Sequence, residues 1–261
     1  MKKVLALLVL LLLVGCSPKI DGGSLKDIKE RGYIVIATEG LWSPWTYHDK
    51  ETDKLVGYDV EIGKYIADYL GVEARYEEAD FDALLAGADA GRYDMVINGV
   101  DVTPDRQEAY SFSDGYAYDK ICVIVLADND DINEMEDLKG KNTANTINSS
   151  YAKIAKKYGA QVTGAKDFND TLQLLDRGSI DATINSKMSF DDYIAETNSD
   201  KYKIACFNPE SNPIAIAMKK GSSDLVNEVN KALTAARKDK TLHDLSIKYF
   251  GEDITIPTVK E

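Results

Sequence analysis

The stretch DMVINGVDVTPDRQEAYSFSDGYAY, Asp94 to Tyr118, decides how this chain folds and where it binds. Its start, MVING, is a short apolar, β-branched run that ends on a glycine, which is typical of a buried strand. Thr103 and Pro104 then predict a helix start, since threonine caps helices and proline suits the first helical position. Asp101 and Arg106 flank this start. An acid for an ammonium and an arginine for a carboxylate suit a small zwitterion, and an ordinary loop with a surface ion pair is the alternative.

The composition excludes several classes of function. The chain has 261 residues, of which 44% are hydrophobic and 29% charged, as in a globular protein of one large domain or two smaller ones. A net charge of −13 argues against nucleic acid as a partner. There is no CxxC pair, and His48 and His243 have no partner at metal-ligand spacing. The sequence therefore predicts no metal site and no cofactor. It also lacks nucleophile-elbow and phosphate-loop motifs, which argues against the hypothesis that the protein is an enzyme.

The first residues have the pattern of an export signal. MKK is positively charged, and the apolar run VLALLVLLLLV that follows is too short to span a bilayer as a mature helix. The sequence LVGC resembles the lipobox of bacterial lipoproteins. We predict a signal peptide over residues 1–15, lipidation of Cys16 and a tether over 16–30, so that the lipid is the membrane link. A plain secretory signal that contains a cysteine is the alternative.

Two segments of the chain match each other without a gap. They are DFDALLAGADAGRYDMVING (Asp80–Gly99) and DFNDTLQLLDRGSIDATINS (Asp167–Ser186). Both have the pattern of a helix, a glycine stop, a turn and a strand that ends near an asparagine, Asn98 in one and Asn185 in the other. The match predicts two similar α/β lobes with their strand ends at equivalent rims, although chance similarity explains it too. Open α/β sheets bind ligands at such rims, so we expect a cleft between the lobes.

Other segments add to this pattern. The apolar strand YIVIAT ends before Glu39, and Trp42 and Trp45 in the following loop are able either to stack on a ligand or to cover the core. Asp59 is predicted to cap a helix. Ser149 and Ser150 precede another helix. Their hydroxyls and the unpaired N–H groups of the helix start are able to bind an anion, or the serines act only as helix caps. Apolar strands at 118–126 and 201–207 are the predicted crossings between lobes.

Taken together, these motifs resemble the family 3 extracellular solute-binding proteins of polar amino-acid ABC importers. The resemblance covers nearly all of the chain after the signal. The motifs that carry it are Trp42, Pro44 and Trp45; Gly57–Asp59; Asp94, Gly99, Thr103 and Arg106; Phe112–Tyr116; Leu138–Lys141; Gly178–Ala182; and Lys248–Gly251.

The resemblance implies an α/β, two-lobed type II periplasmic-binding-protein fold that closes on its ligand like a clamshell. Two hinge strands would join the lobes. Lobe 1 would comprise residues 31–116 and 213–251, and lobe 2 residues 117–212. Residues 252–261 are predicted to form a partly mobile tail. A monomer with an amino acid and the ABC permease as partners is implied as well.

The resemblance also assigns roles in the binding site. Trp42 and Phe81 would sandwich the side chain of the ligand, and Arg106 would bind its α-carboxylate with the backbone N–H groups of Asp101 and Ser150. The carbonyl of Gly99 would accept from the ammonium group.

Three positions bear on the identity of the ligand: Asp101, Ser186 and Glu39. Position 101, usually serine or threonine in the family, is Asp here, and position 186, usually an ammonium-binding Asp, is Ser186. We therefore predict that Asp101 replaces the acid missing at Ser186. Glu39 is a second candidate acid at the side-chain end. A dehydratase-like enzyme on the same fold and a ligand-sensing domain are the competing functions, and no catalytic residue is predicted.

The resemblance further places Cys122 and Cys206 on antiparallel neighbouring strands. A disulfide between them is one expectation, since export would permit it, and two free buried thiols are the other.

Overall fold

The computed structural model describes residues 24–210 and 212–257. The predicted signal peptide and Cys16 lie outside these residues. The fold begins before the predicted boundary at residue 31, because Leu25–Arg31 form a helix, capped by Ser24, that buries Ile28 in the core. Residues 25–30, which we assigned to the tether, are therefore part of the folded protein.

The regular elements follow one another in a mixed α/β order. The strands are β1 (Tyr33–Thr38), β2 (Leu41–Trp42), β3 (Thr46–His48), β4 (Leu55–Val56), β5 (Glu73–Glu78), β6 (Met95–Val96), β7 (Tyr110–Phe112), β8 (Ala117–Tyr118), β9 (Ile121–Leu126), β10 (Asn142–Asn145), β11 (Gln161–Gly164), β12 (Thr183–Ser186), β13 (Tyr202–Phe207), β14 (Pro213–Ile214) and β15 (Ala217–Lys219). The helices are α1 (Leu25–Arg31), α2 (Tyr58–Leu70), α3 (Phe81–Asp89), α4 (Pro104–Ala109), α5 (Ser150–Lys157), α6 (Phe168–Asp176), α7 (Lys187–Thr197), α8 (Ser223–Lys238) and α9 (Thr241–Phe250), with a 3-10 turn at Met135–Leu138.

The first lobe is built on a five-stranded sheet in the order β5-β1-β6-β15-β7. Strand β1 is parallel to β5 and β6, and β15 runs antiparallel to β6 and β7. Alternate side chains of β1 point to opposite faces. Ile34 and Ile36 join the core under α2, α8 and α9, whereas Val35 and Ala37 join the core under α3. Burial on both faces explains the unbroken apolar run of this strand.

The second lobe contains the antiparallel sheet β12-β9-β13 and the parallel pair β10-β11. One face of β9 packs Val123 and Val125 toward α5, and the other packs Ile124 toward α6 and α7. Between the lobes, β8 pairs with β14 in antiparallel register. The chain therefore crosses twice between two α/β lobes at this strand pair. The segments that we predicted as the crossings, 118–126 and 201–207, lie mostly in β9 and β13, which pair with each other within the second lobe. The lobe boundaries at 116/117 and 212/213 stay predictions.

The expected disulfide is not formed, and the register of β9 and β13 explains why. Cys206 lies opposite Val123 and shares its face of the sheet, whereas Cys122 lies opposite Phe207 and belongs to the other face. Both cysteines are free, with the Cys206 Sγ 3.9 Å from the Met135 Sδ. The alternative of two free thiols is the one that the structure shows.

One further expectation needs correction. Gly57, not Asp59, precedes the first residue of α2, and Asp59 lies buried inside the first helical turn. Part of the tail is packed against the protein. Ile254 is buried, and its carbonyl accepts a 2.7 Å hydrogen bond from the Tyr118 N–H of β8.

Candidate functional site

A cavity of about 630 Å³ lies between the two lobes. The first lobe contributes seven of the residues that line it, and three of these are polar. The seven are Glu39, Leu41, Trp42, Phe81, Asn98, Gly99 and Asp101. The second lobe contributes mainly the start of α5, the start of α6 and the end of β12, through Asn145, Ser149, Ser150, Asp167, Phe168 and Asn185. The cavity therefore lies where the repeat predicts it, between the matching strand ends of the two lobes.

The structure brings most of the predicted site residues to this cavity. Those that line it are Glu39, Trp42, Phe81, Gly99, Asp101 and Ser150. Arg106 lies directly behind Asp101, and Ser186 is turned away from the main cavity, as described below.

Arg106 is positioned by the short helix α4. The Thr103 hydroxyl accepts from the Arg106 N–H at 3.3 Å, and Pro104 starts the helix, as the sequence predicts. The guanidinium is buried and lies 5.4 Å from the centroid of the Phe81 ring. Its Nη1 donates to the carboxylate and, at 3.0 Å, to the backbone carbonyl of Asp101. Its Nη2 is buried and has no hydrogen-bond partner among the described residues. A buried cationic donor without a partner is costly, so this atom is poised to bind an anion.

Asp101 uses one carboxylate oxygen for Arg106. The other oxygen lies 3.4 Å from the Nδ2 of Asn212. The residue sits at the junction of the lobes, since it also forms an isolated antiparallel bridge with Ile214 of β14. Its role as the ammonium ligand stays a prediction, because its charge is here engaged by the arginine.

Gly99 occupies a turn that admits no side chain. Its φ is +54°, and a Cβ atom there would lie 2.4 Å from the Trp42 ring. The N–H of Gly99 donates at 2.6 Å to Asp59, whose other oxygen accepts from the Tyr116 hydroxyl at 2.8 Å. Burial raises the pKa of Asp59 to about 7, while both hydrogen bonds lower it. The buried Asp59 thus fixes the turn that carries the predicted carbonyl ligand, a role that the sequence did not suggest.

Glu39 is a half-buried acid at the other end of the site. Asn98 holds it, donating through Nδ2 to the Glu39 carboxylate at 2.6 Å and accepting from the Glu39 N–H at 2.8 Å. Burial raises the pKa of Glu39 to about 7 against the effect of the Asn98 hydrogen bond, and the nearby charges of Asp80 and Asp167 raise it further. Several acids near one end of a cavity favour a ligand that carries positive charge there.

The second lobe presents helix starts to the cavity. Ser149 is the cap of α5, accepting from the Ala152 N–H at 3.1 Å, so Ser150 is the first helical residue. The N–H of a first helical residue has no partner within its helix and is available to an anion. The end of α6 facing the cavity mirrors that of α3, because Phe168 and Phe81 are each the first residue of their helix.

Ser186 has a structural role in this fold. Its hydroxyl caps α7 by accepting from the Ser189 N–H at 3.1 Å, and it lies against the carboxyl group of Asp119. It is completely buried and does not line the main cavity. Its contact with the ligand therefore stays a prediction.

Several cavity residues were not singled out from the sequence. Asn98 and Asn185 were noted only as matching positions of the repeat, which is the signal that identifies them. Asp167 and Phe168 belong to the same repeat, at the positions of Asp80 and Phe81. Asn145 carried no signal. Its Nδ2 donates to the Ile184 carbonyl at 2.7 Å, and its buried Oδ1 has no partner within the described part of the chain.

The described residues contain no group of three or more His, Cys, Asp or Glu side chains able to hold a metal ion. Among the helices of residues 24–210 and 212–257, none has the length and apolar character to cross a membrane.

The sequence of residues 34–252 matches the family model of the bacterial extracellular solute-binding proteins, family 3. The chain belongs to this family. It is 39% identical over 235 residues to the L-cystine-binding protein TcyA of Bacillus subtilis (strain 168), an alignment that covers 90% of this chain and 87% of that protein.

Two solved structures match the chain over most of its length. An ancestral arginine-binding protein bound to arginine matches with a TM-score of 0.78 at 33% identity, over 85% of this chain and 99% of that one. The L-cystine solute receptor of Neisseria gonorrhoeae in the unliganded open conformation matches with a TM-score of 0.59, also at 33% identity, over 90% of this chain and 100% of that one.

Ion pairs across the cleft agree with a closed arrangement. The Nζ of Lys50 in the first lobe lies 3.1 Å from the Glu196 carboxylate at the end of α7. The Nζ of Lys153 on α5 lies 3.0 Å from Asp105 on α4.

Proposed function

We propose that this protein captures a polar α-amino acid in the interlobe cleft and delivers it to the membrane subunits of an ABC permease. The observation that carries the proposal is the buried, unpartnered Nη2 of Arg106 at the junction of the lobes. A ligand carboxylate is the anion of the right charge and size for it. The Ser150 N–H from the second lobe would share that carboxylate, so that binding favours closure.

The far end of the cleft supports a finer proposal. Trp42, Phe81 and Phe168 provide apolar surface, and Glu39 and Asp167 provide acids beyond it. An amino acid with an apolar middle and a second cationic group fits this arrangement. L-cystine has a disulfide in its middle and a second ammonium group at its far end, and a cystine-binding protein is among the relatives. We therefore propose L-cystine as the first candidate ligand and arginine as the second.

The proposal places the protein outside the cytoplasm as a monomer, in keeping with the family of extracellular binding proteins. The signal peptide over 1–15, lipidation at Cys16 and anchoring by the lipid are part of it, with lobe 1 at 31–116 and 213–251 and lobe 2 at 117–212. Binding and delivery require no catalysis, and we propose that the protein has none.

A thermal-shift screen of the purified protein against L-cystine, L-cysteine, L-arginine and other polar amino acids tests this function. A ligand that binds only the folded state stabilises it by about 2.7 kcal/mol at a hundred times its Kd. For a protein of this size, that raises the Tm by about 5–10 °C. We expect L-cystine to give the largest rise. A Tm that no amino acid moves would contradict the proposal.

A further inference from the structure

Asp119 is a buried acid at the hinge, and one of its carboxylate oxygens lacks a hydrogen-bond donor among the described residues. It follows β8 directly, where the chain enters the second lobe, and only 6% of its surface is exposed. Its Oδ1 is buried and has no hydrogen-bond partner among the described residues. The Ser186 hydroxyl and the backbone N–H groups of Lys120 and Met188 contact the carboxyl group. A buried carboxylate oxygen without a donor is costly in an unliganded protein, which is a reason to look for the group that would satisfy it.

Asp119 lines a small cavity that adjoins the main one. This cavity, of about 280 Å³, is also lined by Gly99, Asp101 and Ser150, which line the main cavity as well. The small cavity is therefore the inner end of the cleft, beside the Asp101 that pairs with Arg106.

Beside this inner end lie two buried atoms of opposite charge, each without a hydrogen-bond partner among the described residues. They are the Nη2 of Arg106 and the Oδ1 of Asp119. Arg106 lines neither cavity and lies behind Asp101. An α-amino acid carries a carboxylate and an ammonium on adjacent atoms, so its head group is able to satisfy both at once.

We infer that Asp119 binds the α-ammonium group of the ligand and supplies, from the second lobe, the negative charge that Ser186 lacks. This inference rests on the proposed function. The Gly99 carbonyl and the Asp101 carboxylate, whose second oxygen has only a 3.4 Å contact with the Asn212 Nδ2, complete the ammonium subsite from the first lobe. The ammonium then connects the two lobes through Asp119 and Asp101, as the carboxylate does through Arg106 and Ser150.

The charges around Asp119 support this assignment. Lys187 on α7 is the lysine whose charge acts on Asp119, and it is itself paired with Asp191 and Glu252. Burial raises the pKa of Asp119 to about 7, and the contacts with Ser186, Lys120 and Met188 only partly oppose this. A bound ammonium would favour the ionised form and so gain the full charge of the acid.

The test compares the parent protein with Asp119→Asn by calorimetric titration. The first probe pair is L-cystine and 3,3′-dithiodipropionic acid, the same disulfide dicarboxylic acid without ammonium groups. L-arginine and 5-guanidinopentanoic acid form the second pair. Removing one partner of a buried charge pair typically weakens binding by about 30-fold or more. We expect Asp119→Asn to reduce the preference for the amino acid over its deaminated analogue by at least that factor.

Two further variants serve as controls. They distinguish the loss of an ammonium ligand from misfolding and from the removal of any one negative charge from the second lobe. Asp128→Asn removes an exposed acid from the same lobe and should leave both affinities unchanged. Ser186→Asp in the Asp119→Asn background restores a carboxylate beside position 119 and keeps a good helix cap, so it should recover part of the preference. A misfolded variant would not be rescued in this way.

The outcomes distinguish the inference from the function on which it rests. If the parent binds an amino acid and Asp119→Asn binds it equally well, or loses the amino acid and the analogue to the same extent, Asp119 is not the ammonium ligand. If the parent binds no amino acid at all, in the thermal-shift screen or by calorimetry, the proposed function fails and the inference fails with it.

Discussion

Glu39 is half-buried at the far end of the cleft, and its pKa of about 7 makes the stability of the unliganded protein depend on pH. The folded state binds the Glu39 proton more tightly than the unfolded state, where the pKa is 4.5. The contribution of this group to stability is therefore fully present below pH 4.5 and is lost as the pH rises through 7. The loss is of the order of 3 kcal/mol at pH 8.

We predict that Glu39→Gln raises the Tm of the unliganded protein at pH 8 and changes it little at pH 4.5, because glutamine retains an acceptor for Asn98 but carries no charge. Thermal unfolding of both proteins at the two pH values measures this. An equal difference in Tm at both pH values would show that Glu39 is solvated when ionised. The same substitution should weaken L-cystine binding, since the far ammonium loses its counter-charge.

A test of Arg106 requires a more conservative substitution than alanine. Arg106→Ala would abolish binding if Arg106 holds the ligand carboxylate, but it would also affect the fold. Alanine would leave the buried carboxylate of Asp101 without its cation, at a cost of about 3–5 kcal/mol.

We predict that Arg106→Lys keeps the fold but weakens amino-acid binding at least about tenfold. Lysine retains the charge beside Asp101 but lacks the second donor that the Nη2 supplies. Calorimetry with L-cystine gives the affinity, and the Tm without ligand gives the control. Unchanged affinity in Arg106→Lys would mean that only the charge at this position matters.

The start of α5 allows a test of a single backbone N–H. Ser150 is the first residue of this helix, and Ser149 before it has φ −69° and ψ 157°. Proline is well tolerated at a first helical position, and extended backbone is what a residue before proline requires. Ser150→Pro therefore removes the N–H while preserving the helix.

We predict that Ser150→Pro weakens binding about tenfold, the value of one hydrogen bond to a charged group. Ser150→Ala is the matched control, because it removes the hydroxyl and keeps the N–H, and it should bind like the parent. If Ser150→Pro binds the amino acid as tightly as Ser150→Ala does, this N–H does not contact the ligand.

At the scale of elements, the sequence predicts most of what local chemistry determines. The Thr103 cap, Pro104 and the repeated helix–glycine–strand unit all appear where expected, with Gly91 and Gly178 both in the left-handed region. Asp59 was misplaced because its motif resembles a cap, whereas its side chain bonds to Gly99, distant in sequence. The face on which Cys206 lies depends on an irregularity of strand pairing at Ile204 and Cys206, which no sequence pattern signals.

At the scale of the whole molecule, the two lobes are in contact across the cleft. The pairs Lys50–Glu196 and Lys153–Asp105 link elements that an open protein would separate. Both pairs are largely exposed, so each is worth no more than about 1 kcal/mol. Closure must therefore depend mainly on the ligand, with these pairs as a small bias. The sequence predicts the lobes but not their degree of closure, which depends on contacts between distant parts of the chain.

We predict that Lys50→Glu weakens L-cystine binding by up to about fivefold at low salt, because it places like charges opposite Glu196 in the closed state. The effect should shrink at high salt. Lys54→Glu, an exposed lysine of the same lobe, makes the same change of charge and should have less effect. Equal effects of the two substitutions would indicate that Lys50 does not face Glu196 when the ligand is bound.

We propose that the head group of an amino acid satisfies the unpaired charged groups at the junction of the lobes. A crystal structure of the protein with L-cystine would show whether it does. We expect an α-carboxylate within about 3 Å of the Arg106 Nη2 and the Ser150 N–H, with the ammonium against the Gly99 carbonyl. A ligand bound elsewhere, or one whose carboxylate leaves the Arg106 Nη2 unpaired, would contradict this proposal.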